Sequence, residues 1–331
     1  MEPQVMVFAP TPLLTVTIEQ RADRPDVHLH AGGQGVWQAR MVTSLGVPVV
    51  MCAAIGGEVG LVLRPLLERE GVELRLVDTE SSTGAYVHDR RGGERVTVAE
   101  MPTAPFSRHE MDELYGVALA EGINASVCVL SGPANPDAVP PDLYRRFVTD
   151  IDRNGGHVVA DLSGEHLTAA VEAGGLRLLK LSHEELVSSG YAENDSVPQV
   201  VRAMFGLRER GVEAIVVSRA EEPALALIDE QVYEVVPPKL EPADHRGAGD
   251  SMTAGVAAVL AQGGDLSSAI RTGAAAGALN VTQHGLGTGT PDAIAQLVRQ
   301  IELVPVDAPR RAVRDGGVTS PDELAEQARP R

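Results

Sequence analysis

Lysine is almost missing from this chain. Of 331 residues only two are lysine, Lys180 and Lys239, and arginine supplies the other basic side chains. Tryptophan occurs once, at Trp37, and aromatic residues make up 3% of the total. That scarcity weighs against an aromatic-rich all-β core and favours close-packed helices on a sheet built from Ala, Val, Leu and Gly. Positive charge is short as a whole: 28 Lys and Arg against 46 Asp and Glu leave a formal net charge of −18. Such a surface repels phosphate backbones and anionic headgroups, so neither nucleic-acid nor membrane partners are expected. A small anion in a local positive pocket is still compatible with it. The two cysteines, Cys52 and Cys128, sit inside apolar runs and read as reduced core residues rather than a disulfide. No apolar run approaches the ~18 residues of a membrane span. No basic–apolar–small leader opens the chain, so a soluble cytoplasmic protein is expected. Gly-Lys-Ser/Thr is also absent, which excludes a Walker-type phosphate loop.

What is present is a rhythm. Near-continuous apolar runs at 47–56, 126–132, 157–164, 176–182 and 213–220 predict buried parallel strands. Helical patterns at 38–46, 61–71, 108–122, 141–155 and 196–211 lie between them, several closing on the glycine common after a helix end. This alternation predicts an α/β fold with a doubly wound, mostly parallel sheet flanked by helices on both faces. Two stretches, 5–31 and 83–100, alternate without helices, and "DRRGGER" has hairpin-turn chemistry; together they predict a small β-sheet lid. One domain is expected over 1–304, with lid strands at roughly 10–35 and 83–100. Residues 305–331 form a polar, Pro/Gly-rich tail in which only "SPDELAEQA" favours a helix. "GGQGVW" lacks the third glycine of a dinucleotide fingerprint and a convincing strand–turn–helix unit, which argues against a Rossmann dehydrogenase.

"HRGAGDSMTAG", at 245–255, runs from a glycine loop straight into helical periodicity. The peptide N–H groups of Gly247, Ala248, Gly249 and Asp250 would project from a helix N-terminus, where they can receive the charge of a transferring phosphoryl group. Small residues let a phosphate approach the backbone. Asp250, in the first turn, could take the proton of an attacking hydroxyl. The other reading is structural: an Asp N-cap assisted by Ser251. Taken alone, the stretch leaves both open.

The order of motifs resembles the PfkB, or ribokinase-like, carbohydrate kinases. Their C-terminal signature Asp-Thr-x-Gly-Ala-Gly-Asp stands here as Asp244, His245, Arg246, Gly247, Ala248, Gly249 and Asp250. "AGGQGVWQARMVTSLG" is similar to the family's Gly-Gly-Lys-Gly-x-Asn-x-Ala segment. "IGGEVG", "LSGPANP", "DLSG", "KLSHEEL" and "VVSRA" follow in family order, so the likeness spans residues 5–300. It is strongest toward the branch of 1-phosphofructokinase and tagatose-6-phosphate kinase.

The resemblance implies a ribokinase-like fold and an ATP- and Mg²⁺-dependent phosphotransferase acting on an alcohol group. Asp250 would be the base, with Gly247, Ala248 and Gly249 forming the anion hole. Nucleotide contacts would come from Lys180, Ser182, Glu185, Ser218, Arg219, Gly277 and Asn280, with Glu185 reaching the metal through water. Thr272, Gly273 and Ala276 share the small face with Gly277, which would suit either adenine or a neighbouring helix. Substrate contacts would come from Thr15, Gly33, Gln34, Gly35 and Trp37, and lid strands would join two copies in a homodimer. A monovalent cation requirement is left open.

The substrate end departs from the pattern. Gln34 replaces the signature lysine, Trp37 the sugar-binding asparagine, and Gly84 the arginine of a Thr-Arg pair. Thr11 and Thr15 stand where relatives open with Asn-Pro-x-x-Asp. Both cations expected to hold an acceptor phosphate are thereby gone, and burying a dianion without them is costly. Arg40, Arg90, Arg91, His28 and His30 are candidates to replace them. Leu181 and Ser182 stand in for Pro and Asn beside Lys180, and Ala220 for a glycine after Arg219. The acceptor is expected to be a sugar or sugar-like molecule. The alternatives are a nucleoside kinase, in which Trp37 stacks on a base or sugar face, and a ligand-binding pseudokinase with an eroded site.

Overall fold

Val5 and Val7 point to one face of β1 (Val5–Phe8) and Met6 and Phe8 to the other, and all four are fully buried. Side chains of a strand alternate between faces, so a strand buried on both must lie between two layers. The computed structural model, which describes residues 3–241, 246–282 and 287–306, shows those layers. Asp244, His245 and the helix expected at "SPDELAEQA" lie outside the described residues.

After β1 come β2 (Leu13–Arg21), β3 (Arg24–Gly32), α1 (Gln34–Ser44), β4 (Val49–Gly56), α2 (Gly57–Glu68) and β5 (Glu73–Thr79). β6 (Ala85–Asp89), β7 (Val96–Met101), α3 (Arg108–Asn124), β8 (Val127–Ser131), α4 (Pro141–Arg153), β9 (Val158–Asp161) and α5 (Gly164–Ala173) follow. The remainder is β10 (Leu176–Ser182), α6 (His183–Ser188), α7 (Val197–Glu209), β11 (Val212–Arg219), β12 (Glu222–Ile228) and β13 (Gln231–Val236). α8 (Ala248–Ala261), α9 (Leu266–Asn280), α10 (Pro291–Val298) and β14 (Glu302–Pro305) complete it.

Ten strands form the main sheet in the order β14-β13-β12-β11-β10-β9-β8-β1-β4-β5. Pairing is parallel from β5 across to β11, and β12, β13 and β14 add an antiparallel edge. One face packs on α1, α2, α8, α9 and α10, the other on α3 to α7. Four strands make a second sheet, β3-β2-β6-β7, in which β2 and β6 pair in parallel at the centre.

The doubly wound sheet and the separate small sheet match expectation. Three details differ. The stretch 5–31 is not all lid: Val5–Phe8 is a central strand of the main sheet, and the second sheet begins at Leu13. The strands 222–236 were not foreseen, because a hairpin at the sheet edge carries less of the continuous apolar run that marks a central strand. β14 also extends the sheet to Pro305, one residue past the expected boundary. Cys52 and Cys128 are free and buried, and burial pushes the Cys52 thiol up to about 12.

Candidate active site

β1 pairs with β4 on one side and β8 on the other, so the chain's direction across the sheet reverses there. Open parallel sheets leave a crevice at such a switch point, outside the carboxyl ends of the strands. A cleft of about 230 Å³ fills it. Ala9 and Thr11 after β1, Gln34 and Trp37 on α1, residues 132–134 after β8, residues 161–163 after β9 and Glu185 on α6 line its walls.

Asp161, the last residue of β9 and 2% exposed, holds the base of this region together. Its Oδ1 accepts from Lys180 Nζ at 3.2 Å. Its Oδ2 accepts from Thr253 Oγ1 at 2.8 Å and from Gln38 Nε2 at 3.2 Å, and Gln38 Oε1 in turn accepts from Ser131 Oγ at 2.6 Å. Buried charge is tolerable only when paired and hydrogen-bonded in this way.

Lys180 is buried between carboxylates. Burial works against its charge, but Asp161, Asp250 and Glu185 outweigh it and hold the ammonium protonated. The same group lies against the first turn of α8: a Cβ on Gly249 would fall 2.4 Å from Lys180 Nζ. Glycine there lets the ammonium sit close without shifting.

Asp250 is the third residue of α8. The N-cap is Gly247, in the left-handed region at φ 71°, and no side chain caps the helix. The structural reading of Asp250 as N-cap is therefore overturned. By contrast, Ser107, Ser182 and Asp265 cap α3, α6 and α9 through their side chains. An uncapped N-terminus leaves its N–H groups for an anion. Burial and the charge of Asp161 raise the Asp250 carboxyl to about 7, opposed by Lys180 and by a hydrogen bond from Gln34. Gln34 also donates to Asp161 O at 3.3 Å and accepts from Gly132 N at 2.9 Å, so one amide spans α1, β8, β9 and α8.

Of the other residues singled out, Gly33 is the N-cap of α1 at φ 103°, and Gly35 lets α1 press on Ala9 and Ser131, where a Cβ would meet atoms at 2.3 and 2.9 Å. Trp37 is partly buried on the cleft wall. Thr15 lies on β2 against Gly32 and does not line the cleft; Thr11 does, its Oγ1 accepting from Ala134 N at 2.8 Å. Ser182 and Glu185 form a capping box, with Ser182 N donating to Glu185 Oε2 at 2.7 Å. Ser218 O faces the His183 ring at 3.2 Å, and Arg219 is tied into the β11–β12 turn by Pro223 O at 2.7 Å.

Gly277 and Asn280 do not reach the cleft. A Cβ on Gly277 would stand 2.8 Å from Ala248 O, so its smallness serves the α8–α9 contact. Asn280, fully buried, donates to Arg246 O at 2.6 Å and accepts from Gly287 N at 3.0 Å, bracing the loop ahead of α8. Arg40 is held by both oxygens of Glu70 and Arg91 by Asp89, while His28 and His30 stack on each other in β3. Sequence reasoning missed Gln38, Ser131 and Thr253 as parts of the site, and treated Asp161 only as a strand end. The sole signal was an aspartate closing the apolar run "HVVAD".

The family model described as pfkB family carbohydrate kinase matches residues 14–293. The ATP-dependent 6-phosphofructokinase isozyme 2 of Escherichia coli K12 is 29% identical over 257 residues, covering 77% of this chain and 82% of its own. The 1-phosphofructokinase of Bacillus subtilis 168 is 28% identical over 274 residues, covering 83% and 88%. Among solved structures, Escherichia coli phosphofructokinase-2 in complex with potassium superposes with a TM-score of 0.79 at 25% identity, covering 90% of this chain and 98% of that one. Arabidopsis thaliana ribokinase complexed with ribose and ATP shares the fold at a TM-score of 0.70 and 18% identity, covering 90% and 99%. A family model that matches residues 14–293 and relatives of this kind show that the chain belongs to the pfkB family of carbohydrate kinases and is a sugar kinase.

Proposed function

We propose that the protein transfers the γ-phosphoryl group of ATP to a hydroxyl of a sugar or sugar-like acceptor, with Asp250 as general base. The observation that carries this is the uncapped N-terminus of α8 with Asp250 in its first turn, hydrogen-bonded to Gln34 of the cleft. An acceptor seated between Gln34 and Trp37 presents its hydroxyl toward Asp250. The carboxylate takes the proton as the oxygen attacks, and a base with a pKa near working pH does this efficiently. The N–H groups of Gly247, Ala248 and Gly249 stabilise the charge on the transferring group. Lys180, buried beside them, supplies a fixed positive charge.

One carboxylate of the cleft, Glu185, suits a hard divalent ion held through water. Glu185 commits Oε2 to the cap of α6 while its side chain lines the cleft, so Oε1 is the oxygen that would hold a Mg²⁺-bound water. Bound there, Mg²⁺ would neutralise phosphate charge during transfer. The Escherichia coli neighbour was solved in complex with potassium, which supports monovalent-cation binding here as part of the same reading.

The second sheet serves as lid and as dimer contact in this reading. Its outer strands expose Val27 and Leu29 on β3 and Val96 and Val98 on β7 at 47% to 59%, and exposed apolar edge strands favour pairing. No described helix is long and apolar enough to cross a membrane, and a cytoplasmic location is part of the same proposal.

The test is Asp250→Asn with ATP and a panel of sugars, sugar phosphates and nucleosides. The expected outcome is a fall in kcat of about 10³-fold with the KM for ATP nearly unchanged. If no acceptor stimulates ATP turnover and the variant binds ligands as the parent does, a binding-only protein is the correct reading.

A further inference from the structure

Ser131, Asp161 and Lys180 hold paired positions on β8, β9 and β10, so their side chains form one row across three strands. Val129, Val159 and Leu178, two residues before each, belong to the core packed by α1 and α8, and the row faces the same way. Each of those helices sets one side chain on it. Gln38 of α1 and Thr253 of α8, both fully buried, donate to the same oxygen of Asp161, at 3.2 and 2.8 Å. A carboxylate only accepts, so the Gln38 amide must turn its NH₂ group toward Asp161. Ser131 Oγ holds it that way by donating to Gln38 Oε1 at 2.6 Å. With Oδ2 taken twice, Lys180 bonds Oδ1 alone, at 3.2 Å. Its ammonium then lies against Gly249, and Asp250 is one of the carboxylates that keep it charged.

We propose that Gln38 and Thr253 are positioning residues: by filling Asp161 Oδ2 they keep Lys180 turned to the first turn of α8, beside the base and the transferring phosphoryl group. The proposal rests on the kinase reading above and extends it to two residues that do not line the cleft. Without its donors, Oδ2 is a buried charged oxygen left unsatisfied, which is costly. Lys180 has three N–H groups and already bonds that carboxylate, so it turns to span both oxygens and withdraws from Asp250. The groups facing Asp250 are Asp161 on β9, Lys180 on β10, Gln34 on α1 and Glu185 on α6. Burial, Asp161 and Glu185 raise its carboxyl, whereas Lys180 and the Gln34 hydrogen bond lower it. Withdrawal of Lys180 therefore raises the base further and takes positive charge from the transferring group. Gln38 also stands one turn after Gln34, so the helix that meets the acceptor helps to set the base.

The test compares the full chain with Thr253→Val and Gln38→Met, which keep volume and lose the donor, and with Thr253→Ser, which keeps the hydroxyl. One readout is the pH profile of kcat/KM with ATP and an acceptor from the panel above. The other is NMR titration of isotope-labelled aspartate carboxyls, Asp250 being the signal absent in Asp250→Asn. In Thr253→Val and Gln38→Met both readouts should move up by about half a pH unit or more, with kcat down about tenfold and KM values changed less than about twofold. Thr253→Ser should recover most of the shift. In an Asp161→Asn background Thr253→Val should add none, because the two act through one group. An unmoved or lowered Asp250 titration in Thr253→Val overturns the proposal. So does a shift that Thr253→Ser fails to recover, or one that persists in full beside Asp161→Asn. Because NMR needs no turnover, shifted titrations in a protein that transfers no phosphoryl group sink the kinase reading and keep the positioning role. Turnover with unmoved titrations does the reverse. If Gln38→Met fails to fold, Thr253→Val against Thr253→Ser decides alone.

Discussion

Lys180 and Asp161 face each other across adjacent parallel strands, at paired positions in the β10–β9 register, with Nζ 3.2 Å from Oδ1. The sheet itself fixes this pair. Neither residue depends on a loop for its place, so the charge beside the first turn of α8 is set by backbone pairing.

Asp161→Asn leaves the ammonium buried with less counter-charge, and removing one partner of a buried pair costs about 3 kcal/mol. A loss of that size in a chain this long lowers Tm by about 4 °C, read by calorimetry. Lys180 then turns to Asp250, and the like charge that raised Asp250 is gone. The acidic limb of kcat/KM should move to lower pH, an effect that loss of packing alone would not produce.

The pH dependence of the parent follows from Asp250. Its carboxyl titrates near 7 in the folded chain against 3.8 for the unperturbed group. As the proposed base it must be ionised, so kcat/KM should rise about tenfold per pH unit below 7 and level off above it. Stability runs the other way. The folded state prefers the proton, and that contribution is complete below 3.8 and lost as pH rises through 7. Asp250→Asn should therefore melt higher than the parent at pH 8, with the gap closing by pH 4, as thermal scans at both pH values would show.

Gly277→Ala places a methyl 2.8 Å from Ala248 O, a backbone atom in the first turn of α8. The helices must separate at the anion loop. Overpacking of this kind costs about 1–3 kcal/mol. Activity should fall more than stability predicts, whereas Gly116→Ala, inside α3 where a Cβ meets nothing within 4 Å, should raise stability by about 0.5–1 kcal/mol and leave activity unchanged.

Glu110 accepts from Glu80 N at 2.7 Å, from Ser81 N at 3.2 Å and from Ser107 N at 2.6 Å. Burial opposes its charge, yet these donors bring its pKa down to about 2 from 4.5. A depressed carboxyl stabilises the fold above its unfolded pKa and loses that contribution as pH falls through the folded one. Glu110→Gln should cost about 1.5–3 kcal/mol at pH 7, and the difference from the parent should shrink between pH 4.5 and 2. Urea titrations at several pH values would measure it.

The central strands were legible because each is buried on both faces and so written as an unbroken apolar run; "SVCVLSG" is β8 and "LRLLKLS" is β10. Val5–Phe8 escaped because four residues are too few to show a period, and the hairpin after them reads as one continuous alternation. In the site, Asp250 and its glycines were legible because they are contiguous. Asp161, Gln38 and Thr253 were not, since their contacts bridge 92 to 123 positions of sequence and only the sheet's register brings them together. The stripe of Gly273 and Gly277 looked equally suited to adenine and to a helix. A Cβ at either would stand 2.6 to 2.8 Å from a carbonyl oxygen of α8, which identifies the helix as its neighbour.

The second sheet is inserted in two pieces, 13–32 between β1 and α1 and 85–101 between β5 and α3, while Asp161, Lys180 and Asp250 all belong to the other unit. Thr11, Gln34 and Trp37, which line the cleft, lie just outside both inserts. A chimera carrying another member's inserts should therefore keep this chain's acceptor preference and change only how the cleft is covered.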